Sequence, residues 1–168
     1  MKKLAASIAL VLGFSIALSP LASGATASLT SAQKAQLVYL VEEEKLARDV
    51  YTYLLTNAGS QKFRNIARSE QTHMDLVSGI LKTYGVNDPT IGEKVGVFKN
   101  TELAGLYKKL IASGSVNYAG ALAAGVTIEK LDIADLKTDV KSETAPDILW
   151  VLNTLLRGSE NHLQAFSR

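Results

Sequence analysis

Two histidines and a small set of acids carry the chemistry open to this sequence. Glu70 and His73 stand three residues apart, in Glu70-Gln-Thr-His73, a spacing that sets a carboxylate beside an imidazole on one helix face. Glu129 and Asp132 repeat the spacing with two carboxylates, Glu44 closes the acidic run Glu42-Glu43-Glu44, and His162 lies near the C-terminus. Gathered away from water, such groups either hold a metal ion or pair with one another, because an unpaired buried charge costs several kcal/mol. The chain has no cysteine. That removes disulfides, thiolate-ligated zinc or iron-sulfur sites, a catalytic thiol and lipidation at cysteine from consideration.

The elements that must position these groups read as helices. Thr30 with Gln33 forms a capping-box pattern, and Leu37, Leu40, Val41, Ala47, Val50, Tyr51, Leu54 and Leu55 recur at spacings of three and four, predicting a helix over roughly 31–56. A turn through Gly59 and Ser60 leads to a second stripe, Phe63, Ile66, Ala67, Met74, Val77, Ile80, Leu81 and Tyr84, stopped by Gly85. Residues 86–116 contain Asn87-Asp88-Pro89, further glycines and one short helical stretch over 101–112, and are expected to be a long connection without a core helix. A helix from about Ser115, broken or bent near Gly125, presents Leu122, Val126, Ile133 and Leu136. Pro146 suits a first helical turn, and Ile148, Val151, Leu152, Leu155, Leu163 and Phe166 mark the last helix. Four long amphipathic helices must bury their stripes on one another. Short links within each pair and about thirty residues between pairs make an all-α four-helix bundle, two hairpins joined by a long crossover containing short helices.

The inner faces of that bundle collect the ionisable groups. At about 100° per residue, only Glu44 of the acidic run falls in line with Leu37, Leu40, Ala47 and Tyr51; Glu43 is next, and Glu42 should face water. Glu70 and His73 lie between Ala67 and Met74, Glu129 and Asp132 on the line of Val126 and Ile133, and His162 on the line of Leu155, Ser159 and Phe166. Each long helix therefore sends at least one ligand-type side chain inward, the arrangement of a two-metal carboxylate site in a bundle. The competing reading is a metal-free structural bundle, which pairs His73 with Glu129 or Asp132 as a buried polar network and leaves His162 on the surface. A Glu/Asp/His donor set without thiolate suits Fe or Mn and also accepts Zn. Tyr51 is either a core residue or a hydrogen-bonding neighbour of a ligand.

Lys2 and Lys3, the uncharged run Leu4–Leu18, Pro20 and the small-x-small triplet Ala25-Thr26-Ala27 read as a secretory leader over residues 1–27, so an exported protein, periplasmic or secreted, is expected. The chain has 18 basic and 16 acidic side chains, and the leader holds two of the basic ones and none of the acidic. The remainder is near neutral, which gives no electrostatic case for a nucleic-acid partner or, once the leader is cleaved, for a membrane.

Five segments carry a likeness: Glu42-Glu-Glu-Lys-Leu-Ala-Arg-Asp-Val-Tyr51, Ile66-Ala-Arg-Ser-Glu-Gln-Thr-His73, Gly96-Val-Phe98, Ile128-Glu-Lys-Leu-Asp-Ile-Ala-Asp-Leu136 and Gly158-Ser-Glu-Asn-His-Leu-Gln-Ala-Phe166. In them the chain resembles the ferritin-like carboxylate superfamily, and within it a bacterial and archaeal branch of unassigned function. The resemblance implies a ferritin-like bundle and assigns metal-ligand roles to Glu44 (followed by Ala47 and Tyr51), Glu70, His73, Glu129 and His162. It also implies oxidation of ferrous iron, with oxygen or peroxide as co-substrate. Three residues before His162 the superfamily pattern needs a Glu, and here stands Ser159. The likeness therefore leaves room for Asp132 as a replacement oxygen ligand, for a weaker second metal position, or for a single-metal or non-catalytic metal-sequestering site.

Overall fold

The computed structural model describes residues 28–168, so the predicted leader lies outside the described residues. The Thr30 hydroxyl accepts the Gln33 amide at 3.2 Å while the Gln33 side chain accepts the Thr30 amide at 2.9 Å, and this reciprocal cap starts α1 (Ser31–Ala58). Ser60 caps α2 (Gln61–Thr83), Asn100 caps α3 (Thr101–Gly114), Asn117 caps α4 (Tyr118–Ser142), and Pro146 opens α5 (Pro146–Phe166). Among the described residues the protein is all-helical, with five helices and no strand. The α1 and α2 helices pack along each other, as do α4 and α5. The pairs meet through α2 with α5 and α1 with α4, while α3 lies on α1 and α4.

The apolar core falls into two clusters. One gathers Leu46, Val50, Tyr51, Leu54, Phe63, Ile66 and Phe166. There the rings of Tyr51 and Phe166 stand 5.0 Å apart and those of Phe63 and Phe166 5.3 Å, spacings favourable for tilted aromatic pairs. The other gathers Leu37, Leu40, Val41, Val77, Leu81, Leu136, Ile148, Leu152 and Leu155. Between the two, on every long helix, come the polar positions: Glu44, Glu70 and His73, Glu129 and Asp132, Ser159 and His162.

Three expectations are corrected by this packing. First, α3 is a core element: its Leu103, Tyr107 and Leu110 are buried in the first cluster. A helix of 14 residues suffices because it needs only three anchors to cover the flank of α1. Second, α4 runs unbroken through Gly125. A Cβ there would lie 2.7 Å from the Phe166 ring, so the glycine admits the ring of α5 against the α4 backbone and marks a close approach inside a continuous helix.

Third, Glu42 does not face water. The crossover and α3 cover the outer face of α1, and every residue from Leu40 to Ala47 is buried. Glu42 accepts the Lys99 amide at 2.6 Å and the Asn100 amide at 3.1 Å. Lys45, 1% exposed, donates to the Lys94 carbonyl at 2.8 Å and pairs with Asp49, which in turn accepts the Gly96 amide at 2.9 Å. Charges that look like a solvated face thus serve as hydrogen-bond partners for the segment between α2 and α3, which has no regular structure of its own. Glu42→Ala should orphan two amides and lower stability by about 1–3 kcal/mol in a denaturant titration, with metal content unchanged. A variant as stable as the parent would contradict this anchoring role.

Candidate metal centre

The polar layer brings together the side chains that the helical period turns inward. Two groups of potential ligand atoms, each group within 4.8 Å, form in it: Glu44, Glu70 and His73, and Glu70, Glu129 and His162. Glu70 belongs to both. Its Oε2 lies 2.8 Å from His73 Nδ1 and its Oε1 lies 2.9 Å from His162 Nδ1, so the two oxygens of one carboxylate face two different imidazoles. Glu44 Oε2 is 3.2 Å from His73 Nδ1, and Glu129 Oε1 is 3.7 Å from His162 Nδ1. The two imidazole rings stack with centroids 5.6 Å apart.

Closeness here is not satisfaction. Despite their separation of 2.9 Å, Glu70 Oε1 and His162 Nδ1 are not aligned as donor and acceptor, and both are left without a hydrogen-bond partner. Glu44 Oε1 and Asp132 Oδ1 are orphaned in the same way. Four unpartnered buried donor atoms on four helices are what a polar network would avoid and what a bound cation would satisfy. Oxygen and imidazole nitrogen donors suit Fe, Mn or Zn, so the residues present fit a metal ion.

Electrostatics describe one coupled set. Burial, offset in part by His73, pushes the Glu44 carboxyl up to about 7, and burial likewise pushes Glu129 up to about 7. Burial and the neighbouring Glu44 and Glu43 hold Asp132 well above the usual carboxylate range. Burial opposes the charged imidazoles, but Glu44 and Glu70 outweigh it at His73, raised to about 11, and Glu129 and Glu70 outweigh it at His162, raised to about 9. Burial also opposes the Glu70 charge, yet the imidazoles of His162 and His73 beside it bring it below its ordinary value.

Asp132 is buried but lies outside both groups of three, beside Glu44, Glu43, Glu129 and Ser159. The Ser159 hydroxyl is spent on the Leu155 carbonyl at 3.0 Å. The polar network that would pair His73 with Glu129 or Asp132 is not what forms, because His73 pairs with Glu44 and Glu70, and His162 is buried instead of exposed. Tyr51 fills both of the roles left open for it: packed in the aromatic cluster, its hydroxyl donates to Glu129 Oε1 at 2.7 Å. One contributor escaped the sequence reading. A Cβ at Gly158 would stand 2.4 Å from His73 Nε2, so α5 leaves room there for the imidazole. Its signal was available, since a glycine inside a helix costs about 1 kcal/mol and calls for a reason.

A helical protein with a buried carboxylate and imidazole centre between two apolar clusters is the class that fold and site define. Residues 33–168 match the family described as Uncharacterized protein domain (DUF2202), and the chain belongs to that family. It is 45% identical over 140 residues to the uncharacterized protein MJ0754 of Methanocaldococcus jannaschii, an alignment covering 83% of this chain and 76% of that one. The crystal structure of hypothetical protein MJ0754 superposes with a TM-score of 0.80 at 45% identity, covering 82% of this chain and 79% of that one.

Proposed function

We propose that this is an exported, ferritin-like metal protein that binds two metal ions through Glu44, Glu70, His73, Glu129 and His162, with Asp132 beside them, and oxidises ferrous iron with oxygen or peroxide. The observation that carries the reading is the shared carboxylate: Glu70 faces both histidines while its Oε1 and His162 Nδ1 lack hydrogen-bond partners. The long helix pairs and crossover support the ferritin-like arrangement, and the leader pattern of residues 1–27 supports export.

Iron held in such a centre supplies the electrons for reducing the oxidant. The protein's own residues do the rest. Glu70 keeps two positions close together, Tyr51 holds the Glu129 carboxylate in one orientation, and the two apolar clusters keep bulk water from the ligands. Carboxylates favour the higher charge of oxidised iron, while the imidazoles keep the ferrous form bound. Non-catalytic metal sequestration uses the same ligands and is separated from oxidation by turnover alone.

Anaerobic ferrous titration followed by addition of peroxide tests the proposal. Saturation at two irons per chain, followed by ferric absorbance that grows faster than in protein-free buffer, is the expected outcome. Protein that takes up no iron would reject the centre, and uptake without faster oxidation would leave sequestration as its role.

A further inference from the structure

The segment between α2 and α3 is tied to the bundle on one side and apolar on the other. The Thr90 carbonyl accepts the Glu93 amide at 3.1 Å and the Lys94 carbonyl accepts the Val97 amide at 3.1 Å, which closes two successive β-turns. The third residue of each is a glycine with positive φ, Gly92 at 79° and Gly96 at 78°, and no other residue type has positive φ, so both turns are type II. The second position carries Ile91 in the first turn and Val95 in the other.

Both side chains face outward. Ile91 is 78% exposed, Val95 53% and the neighbouring Val97 44%. Their supports are firm: Asp88 accepts the Thr90 amide at 2.8 Å and the Thr90 hydroxyl at 2.7 Å, Lys45 donates to the Lys94 carbonyl, and Asp49 accepts the Gly96 amide. Turn tips are ordinarily polar, so aliphatic side chains held out on an anchored backbone mark a contact surface.

Charge decides what that surface meets. Within residues 82–99 every exposed charged side chain is a lysine, namely Lys82, Lys94 and Lys99. Asp88 is buried, and the half-buried Glu93 is spent on Lys99 at 2.5 Å. Lys94 adjoins Val95 in the chain, and Lys82 lines one surface hollow together with Ile91, so apolar tips and positive charge share one face. An isologous contact with a second copy would bring the lysines of the two copies together, which is repulsive. A bilayer with anionic headgroups instead answers both features, and it needs no matching hollow for a convex pair of turns.

We propose that this protein attaches to membrane surfaces rich in anionic phospholipid, inserting Ile91, Val95 and Val97 at the boundary of headgroups and acyl chains while Lys82 and Lys94 lie among the phosphates. The near-neutral total of residues 28–168 averages over this local charge. The attachment is independent of any metal in the centre.

Vesicle co-sedimentation tests it with the chain from Ser28 onward, which carries all five helices and both apolar clusters and lacks the apolar run Leu4–Leu18. The parent should pellet with sucrose-loaded vesicles of equal parts phosphatidylglycerol and phosphatidylcholine, and stay in solution with phosphatidylcholine alone. The double variant Ile91→Asp/Val95→Asp should lower the partition coefficient at least about tenfold. Lys82→Gln/Lys94→Gln should lower it by about tenfold or more and remove most of its sensitivity to salt. Both variants change exposed side chains only, so melting curves equal to the parent's should accompany the loss. A parent that stays in solution with the anionic vesicles would overturn the attachment, as would turn-tip variants that pellet like the parent. Gel filtration that showed a parental dimer, made monomeric by Ile91→Asp/Val95→Asp, would assign the tips to a second copy and overturn it as well.

Discussion

Glu70→Gln is expected to empty both proposed metal positions together. Glu70 is the one residue common to the two groups, with Oε2 turned to His73 and Oε1 to His162. Glutamine keeps the shape of the side chain, so packing between the two apolar clusters should survive, but it removes the negative charge and replaces one oxygen by an NH2 that cannot donate a lone pair. Loss of ligand-supporting groups outside the metal's own coordination costs about 10- to 100-fold in affinity, and loss of a ligand shared by two ions should exceed that for each. Glu44→Gln, by contrast, touches one group only and should leave about half the metal bound. Equilibrium dialysis followed by elemental analysis reads both variants. If Glu70→Gln kept one position at parental affinity, the carboxylate would not be shared.

Gly158→Ala is expected to displace His73 and weaken the position it serves by at least about tenfold. The added Cβ would sit 2.4 Å from Nε2 and 2.6 Å from Cε1 of the imidazole, inside van der Waals contact. The ring has little freedom to retreat, because its other nitrogen is held by Glu44 at 3.2 Å and Glu70 at 2.8 Å. Either those contacts lengthen or α5 moves away from α2. Gly79 on α2 supplies the control: a Cβ there meets nothing within 4 Å, so Gly79→Ala should stabilise by up to about 1 kcal/mol through helix propensity. Opposite signs in the two melting curves, with metal loss in Gly158→Ala only, are the expected result. Parental metal affinity in Gly158→Ala would show that the ring is free to shift and that the glycine has no part in the site.

Much of the fold could be read from local rules. Thr30 with Gln33, Ser60 and Pro146 start their helices for reasons contained within a few residues, and the stripes of three and four show which face each long helix buries. The angular argument that turned Glu44, Glu70, His73, Glu129, Asp132 and His162 inward needs only the helical period, and all six are buried. The same argument failed for Glu42. It assumes that the side of α1 facing away from the bundle meets water, and that side meets the crossover.

What the sequence determined by itself, then, is the orientation of each side chain about its own helix axis, because backbone geometry sets that angle before any neighbour arrives. What only the tertiary structure decided is which group occupies the space opposite. It made Glu70 the carboxylate between two histidines, placed Asp132 outside both groups of three, set Tyr51 against Glu129, and brought Gly158 under His73. It also made the charged side of α1 a binding surface for backbone amides. Those pairings depend on the offset and rotation of one helix against another, which the packing of the whole core settles and no single stretch of residues encodes.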